Sequence, residues 1–263
     1  MGRLNEVLLS FDLDHTLMIN PFRRWVFPEI NRWLQSHFSE ENPVNRLIRE
    51  HRRRLLNGAC PKAYDWDDIL RSVASGRSIP FTVRELVEKH TCVGKVWLFA
   101  DVLPAMDRLA QAGARMVAAT NGFTRYQRPV TDCLGLTPYF DRFHTPEEMQ
   151  CAKPQAAFFH FGKGSRVIHV GDRLDQDVLG ANRAHQISVW IYREMSLELI
   201  KLPVSERNRH PLLSACLAAR LHREGVPTEL HEACHPQYVI YTLDELPEIW
   251  EQESGSEGIS DKW

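Results

Sequence analysis

Residues 7–17 read VLLSFDLDHTL. The run from Val7 to Phe11 has the length and apolar character of a buried strand, and it leads straight into Asp12 and Asp14, two carboxylates one residue apart. From about residue 100 the chain alternates helix and strand. Helices are expected at 104–112, 124–134, 154–161 and 175–183, and strands at RMVAAT (115–120), near Phe143, at RVIHVG (166–171) and at ISVWIY (187–192). Continuous apolar strands separated by helices predict an α/β fold with a parallel sheet covered on both faces, and the opening strand is its missing member. Between about residues 20 and 95 apolar residues recur three and four apart instead, so the chain leaves the sheet after Asp14, builds a helical lobe, and returns. Within the lobe Pro28 and Pro43 open helices, Asp65 caps a third, and Thr82 with Glu85 forms a capping box ahead of a fourth. Residues 193–235 fit the alternation poorly and read as an added helical element. YVIYT and LDELPEIW resemble a last strand and helix, and 254–263 a mobile polar tail.

Composition narrows the function. The chain has 263 residues, 43% hydrophobic and 25% charged, enough for one large core with an attached lobe. A formal net charge of -2 gives no electrostatic reason to expect a nucleic-acid polymer or an anionic membrane as partner, so a small molecule is the expected one. No secretory signal or run of about 18 apolar residues is evident, and a cytoplasmic protein is expected. Six cysteines without a C-x-x-C pair read as reduced, packed thiols.

In a parallel sheet, ligands bind beyond the carboxyl ends of the strands. Those ends supply Asp12 and Asp14, then Thr120 and Asn121, then Lys153 in CAKP, then Asp172, Asp175 and Asp177. Carboxylates gathered at one point repel one another unless protons or a cation compensate. Magnesium, which shares one or two carboxylates with a substrate phosphate, would resolve the conflict, with Asp12 and Asp172 suited to hold it. The ammonium of Lys153 and the hydroxyl of Thr120 would then face the phosphoryl oxygens. Other roles fit single residues: Thr120 as a helix cap, Lys153 as a solvated lysine, Asp175 as a helix N-terminal acid.

The set D-x-D-x-T (Asp12, Asp14, Thr16), ATNG with Thr120, AKP with Lys153, and VGDRLDQD with Asp172 and Asp177 resembles the four motifs of the haloacid dehalogenase superfamily, over roughly residues 6–192. The resemblance implies a Rossmann-like core at 1–19 and 96–253, and an inserted α-helical cap at 20–95, as in the subfamily whose cap lies between the first and second motifs. It also implies a magnesium-dependent phosphatase in which Asp12 is the nucleophile and forms an aspartyl-phosphate. Asp14 is then the acid that protonates the leaving oxygen and the base that activates water, with its main-chain carbonyl on the metal. Thr120, Asn121 and Lys153 bind the phosphoryl group, Lys153 also holding the nucleophile, while Asp172 completes the metal site and Asp177 stands behind it or adds a contact. Dehalogenating members lack the second acid, so Asp14 favours a phosphatase; a phosphomutase or a non-catalytic phosphate-binding regulator are the competing readings.

The segment TNGFTRYQRPVTDCLGLTPYFDRF is similar to pyrimidine nucleotidases of the superfamily, which makes a nucleoside monophosphate a candidate substrate. In the cap, HRRR (51–54) and the aromatics Trp25, Trp33, Tyr64 and Trp66 are candidate contacts for it, against solvated and core roles respectively. His15 stands where many members have glycine, at the entrance to the site. His210, Cys216, His222, His231, Cys234 and His235 offer zinc-ligand types at a spacing that matches no standard finger.

Overall fold

The computed structural model describes residues 7–162 and 166–255. Six parallel strands form the main sheet: β1 (Val7–Phe11), β4 (Arg115–Ala119), β5 (Phe143–His144), β6 (Arg166–Gly171), β7 (Ile187–Ile191) and β8 (Tyr238–Ile240). Their spatial order is β5-β4-β1-β6-β7-β8, which is 3-2-1-4-5-6 when they are counted along the chain. The direction of winding therefore reverses between β1 and β6, the place where such sheets open a crevice for ligands. Phe11 is paired with Val170 across that seam, so Asp12 emerges beside Gly171.

Both faces of the sheet are covered, because successive residues of a strand point to opposite sides. Leu9, Phe11, Met116, Ala118, Ile168 and Val170 enter one core that continues into the inserted lobe. Leu8, Val117, Ala119 and Val167 enter the other, against Phe158, Phe159 and Ala181. Ser10, His144, His169 and Ser188, all buried, bring polar atoms into the second face.

The insert is helical, as expected, with α1 (Phe27–Gln35), α2 (Asn45–Leu56), α3 (Trp66–Ala74) and α4 (Val83–His90). Asp65 accepts from Asp68 N at 2.9 Å to start α3, and Thr82 and Glu85 close their capping box ahead of α4. Its base is a feature with too little length to show in the sequence. β2 (Met18–Ile19) and β3 (Trp97–Leu98) pair antiparallel, fastening the two connections between insert and sheet side by side.

Elsewhere the structure departs from expectation. The helix expected at 154–161 is a single 3₁₀ turn, Ala156–Phe159, whose tight winding sends the adjacent Phe158 and Phe159 inward together. The one at 175–183 begins as a π turn, Leu174–Val178, before its α segment Leu179–Arg183. The added segment folds as Leu197–Ile200, Val204–Arg207 and the longer Pro211–Glu224, around a small core of its own with Trp190 and Leu199. Its histidines and cysteines do not converge; among the described residues the one cluster of metal-ligating groups is acidic. Of the expected polar tail, residues 254 and 255 end the helix Leu246–Gly255, and the rest lies outside the described residues. No helix among the described residues is long and apolar enough to cross a membrane.

Leu9, fully buried in the central strand, is the point where the fold is most exposed to truncation. Leu9→Ala is expected to lower unfolding free energy by about 2–5 kcal/mol, read from the urea midpoint at constant slope.

Candidate active site

The site is assembled at the seam between β1 and β6. Asp12 N donates to Val170 O at 2.9 Å, which extends the ladder by one residue and fixes where the carboxylate stands. Lys153, 3% exposed, reaches it from the loop after β5. Its Nζ donates to Asp12 Oδ1 at 2.5 Å and to Asp177 Oδ1 at 2.6 Å. Thr16 Oγ1 donates to Asp12 Oδ2 at 3.1 Å. An ammonium with no water around it is stable here only because two carboxylates face it, and burial notwithstanding, they hold its pKa above the ordinary lysine value.

Asn121 positions that lysine. Its side chain accepts from Lys153 N at 2.9 Å and donates to Lys153 O at 3.1 Å, so the amide is engaged on backbone. Thr120 Oγ1 accepts from Gly122 N at 3.2 Å and stands within 3.3 Å of Gln127 Nε2.

Behind Lys153 lies a buried relay that motif reading did not single out. His169 Nε2 meets Asp177 Oδ1 at 3.0 Å, and its Nδ1 meets Ser10 Oγ at 3.0 Å. Burial holds His169 below its usual pKa; as a neutral ring it donates to Asp177 and accepts from Ser10. Arg173 N donates to the other Asp177 oxygen at 3.0 Å. Although burial alone would raise it, Asp177 is held well below the usual carboxylate range by Lys153 and His169. Gly171 makes room for this acid: a Cβ there would lie 2.1 Å from Asp177 Cγ.

Asp14 has a different environment. Asn20 Nδ2 donates to its Oδ1 at 2.5 Å and Gln127 Nε2 to its Oδ2 at 2.8 Å. Burial, then the charge of Asp12, pushes its pKa up to about 6, so its carboxyl can hold a proton close to neutral pH. Neither Asn20 nor Gln127 belongs to a motif. Gln127 does occupy the buried face of its helix with Tyr126, Val130 and Thr131, and a lone amide on that face was the available signal.

Asp12, Asp172 and Asp177 each place an oxygen within 4.8 Å of the others. Burial, together with Asp12 and Asp177, raises the Asp172 pKa well above normal, and Asp12 rises to about 6, burial outweighing Lys153. The Lys153 ammonium and the Arg220 guanidinium on Asp172 face three carboxylates, which leaves negative charge uncompensated, and oxygen-only donors suit a hard divalent cation such as magnesium. Asp175 is turned away into a two-point pair with Arg173, at 2.8 and 2.7 Å. Asp172 is gripped from the added segment: Arg220 Nη2 donates to its main-chain oxygen at 3.0 Å and to its Oδ2 at 3.1 Å. Nothing in the local sequence around Arg220 signals this role.

His15 has a left-handed backbone, φ 65°, and lines a cavity of about 230 Å³ with Asp172, Arg193 and Arg220, on the side of the site away from the cap. Between the site and the cap is another cavity, of about 240 Å³, lined by Asp14, Asn20, Asn121 and Gln127 below and by Phe22, Phe27, His51, Tyr64 and Trp66 above. The arginines of HRRR are absent from it. Arg53 pairs with Glu50, and Arg54 with Glu50 and Asp68. Trp25 and Trp33 are not among its walls, whereas Tyr64 and Trp66 are.

A family model of haloacid dehalogenase-like hydrolases matches residues 8–185. A glyceraldehyde 3-phosphate phosphatase of Methanopyrus kandleri is 28% identical over 196 residues, covering 70% of this chain and 82% of that protein. A pyrimidine 5'-nucleotidase of Streptococcus pneumoniae is 32% identical over a shorter stretch of 93 residues, 32% of this chain and 39% of the other. Among solved structures, a HAD phosphatase from Thermococcus onnurineus superposes with a TM-score of 0.64 at 22% identity, over 92% of this chain and 96% of that one, which shows the common fold. The chain belongs to the haloacid dehalogenase-like hydrolases and is an enzyme of that hydrolase family. Arg220 lies beyond the matched residues, in the added segment.

Partners that orient a metal-binding carboxylate typically affect metal affinity by 10–100-fold. Arg220→Met is therefore expected to weaken magnesium binding by about tenfold or more, measured by calorimetry, with Arg220→Lys falling between it and the parent.

Proposed function

We propose that this member of the haloacid dehalogenase-like hydrolases is a magnesium-dependent phosphatase that cleaves a small phosphate monoester through an aspartyl-phosphate on Asp12. The observation that carries the reading is the contrast between the two acids of the opening motif. Burial raises both acids to about 6, but Asp12 is bound by an ammonium and a hydroxyl, which favour its carboxylate, while Asp14 is buried between two neutral amides. A nucleophile must be ionised and a general acid protonated at the same pH, and such divergent surroundings for neighbouring acids assign the roles. The phosphatase names of the relatives agree with this reading.

The steps use this chain's own groups. A carboxylate oxygen of Asp12 attacks phosphorus and the ester P–O bond breaks, while Asp14 gives its proton to the departing oxygen. Water then enters at phosphorus and loses its proton to Asp14, the bond to Asp12 breaks, and inorganic phosphate leaves. Throughout, Lys153 and the Thr120 hydroxyl face the phosphoryl oxygens, and Asp177, with His169 and Ser10 behind it, keeps Lys153 in place. Asp12 and Asp172 would hold magnesium, with the main-chain carbonyl of Asp14 as a further ligand, and Asp177 close behind. Bound there, the ion would supply positive charge to the phosphoryl group.

Asp14→Asn is expected to reduce turnover of an alkyl phosphate by about a hundred- to ten-thousand-fold. For 4-nitrophenyl phosphate, whose leaving group needs no proton, the first step is largely spared and the phosphorylated enzyme accumulates, visible by intact mass. Chelation of divalent ions is expected to abolish phosphate release, and added magnesium to restore it. Release unchanged in excess chelator would contradict the proposal.

A further inference from the structure

The cavity above Asp14 carries information about the leaving group, resting on the phosphatase reading above. Asp14 protonates the departing oxygen, so the group attached to that oxygen must lie in the cavity that Asp14 lines. At about 240 Å³, below the 300–1,000 Å³ typical of pockets for drug-sized ligands, it suits one ring, with any further part of the leaving group outside it.

Its walls are rings. Trp66 lies 5.1 Å from both Phe27 and His51, edge to face with the first and tilted by 31° from the second, and Phe22 packs edge to face on Tyr126 at 5.8 Å. Phe22, Phe27, His51 and Trp66 are half-buried; the three apolar rings pack on the core yet keep some surface that lines the cavity. No lysine or arginine lines the cavity. On α2, Arg53 pairs with Glu50 and the buried Arg54 is held by Glu50 and Asp68, and Arg125, which stands over the Tyr126 ring, is tied to Asp65 and Asp67. A second phosphate or carboxylate on the leaving group would thus enter an aromatic enclosure beside Asp14 with no compensating charge.

His51 adds directionality. Its Nδ1 lies 2.5 Å from Ala63 O, and a carbonyl only accepts, so that nitrogen carries the proton. Burial lowers the pKa of the ring, and with the proton on Nδ1 the other nitrogen, Nε2, is an acceptor that takes no hydrogen bond among the described residues.

We propose that the cap selects a phosphate monoester whose leaving group is uncharged and presents one aromatic or heteroaromatic ring to the cavity, with His51 Nε2 accepting from a donor on that ring where it has one, and rejects esters that carry a second anion. The test compares kcat/KM for phenyl phosphate, uridine 5'-monophosphate, 4-carboxyphenyl phosphate, glyceraldehyde 3-phosphate and a sugar bisphosphate. Benzylphosphonate, which cannot turn over, is titrated in parallel against tryptophan fluorescence. The two uncharged ring esters are expected to exceed the carboxylated ring and the bisphosphate by about tenfold or more, and glyceraldehyde 3-phosphate by a smaller margin. Trp66→Leu is expected to remove that margin and the fluorescence response to benzylphosphonate. His51→Phe is expected to weaken uridine 5'-monophosphate more than phenyl phosphate, because only the former offers a donor. Arg53→Ala, on the outer side of α2, is expected to change none of these ratios. Equal or better turnover of the charged esters, or selectivity unmoved by Trp66→Leu, overturns this inference and leaves the phosphatase reading intact. Benzylphosphonate binding with no ester hydrolysed overturns the phosphatase reading instead, and absence of both overturns the two together.

Discussion

The contact on which the rest of this structure depends is the buried ammonium of Lys153 between Asp12 and Asp177. It joins three parts of the chain that are remote in sequence: the end of β1, the loop after β5 and the turn after β6. A charge taken out of water costs several kcal/mol unless its partners are well placed, and removing one partner from such a pair costs more than the pair contributes. The surroundings show the consequence. Gly171 lacks a side chain so that Asp177 fits, Asn121 holds both the N–H and the carbonyl of Lys153, and the central strands accept Ser10 and His169 where apolar residues would otherwise pack. Each of these features serves the placement of one nitrogen.

Charge is equally well ordered above the site. The cap presents rings and His51 to the cavity while Arg53 and the buried Arg54 are paired with acids outside its lining, and the added segment sends Arg220 to Asp172. On the proposed reading, positive charge is concentrated where phosphoryl oxygens would lie and withheld where the leaving group would lie, so that a chain with no unusual net charge would select by arrangement alone.

Much of this was legible before folding. Strands such as Val7–Phe11 and Ile187–Ile191 are buried at every position, so they read as apolar runs with a single serine each, and looking for acids beyond the strand ends followed from the rule for parallel sheets. What stayed hidden depends on distance between segments. Gln127 and Asn20 sit on a helix and a loop with no motif, and their meaning comes only from Asp14, which is 113 residues away from Gln127. Arg220 is one basic residue in a helix with several, singled out only by the docking of that helix against the turn after β6. His169 was the visible exception, a polar ring in the middle of RVIHVG, where a fully buried strand has no place for it without a partner. Short elements were lost for another reason: two-residue strands and a 3₁₀ turn lie below the length at which periodicity exists.

The central claim is that Asp12 itself bonds to phosphorus. Enzyme quenched during turnover of a phosphate ester and reduced with borohydride converts an acyl phosphate into an alcohol, so an aspartyl-phosphate becomes homoserine. The account predicts homoserine at position 12 and at no other acid of the chain. Phosphate release at full rate with no homoserine, or with homoserine at another aspartate, would contradict it.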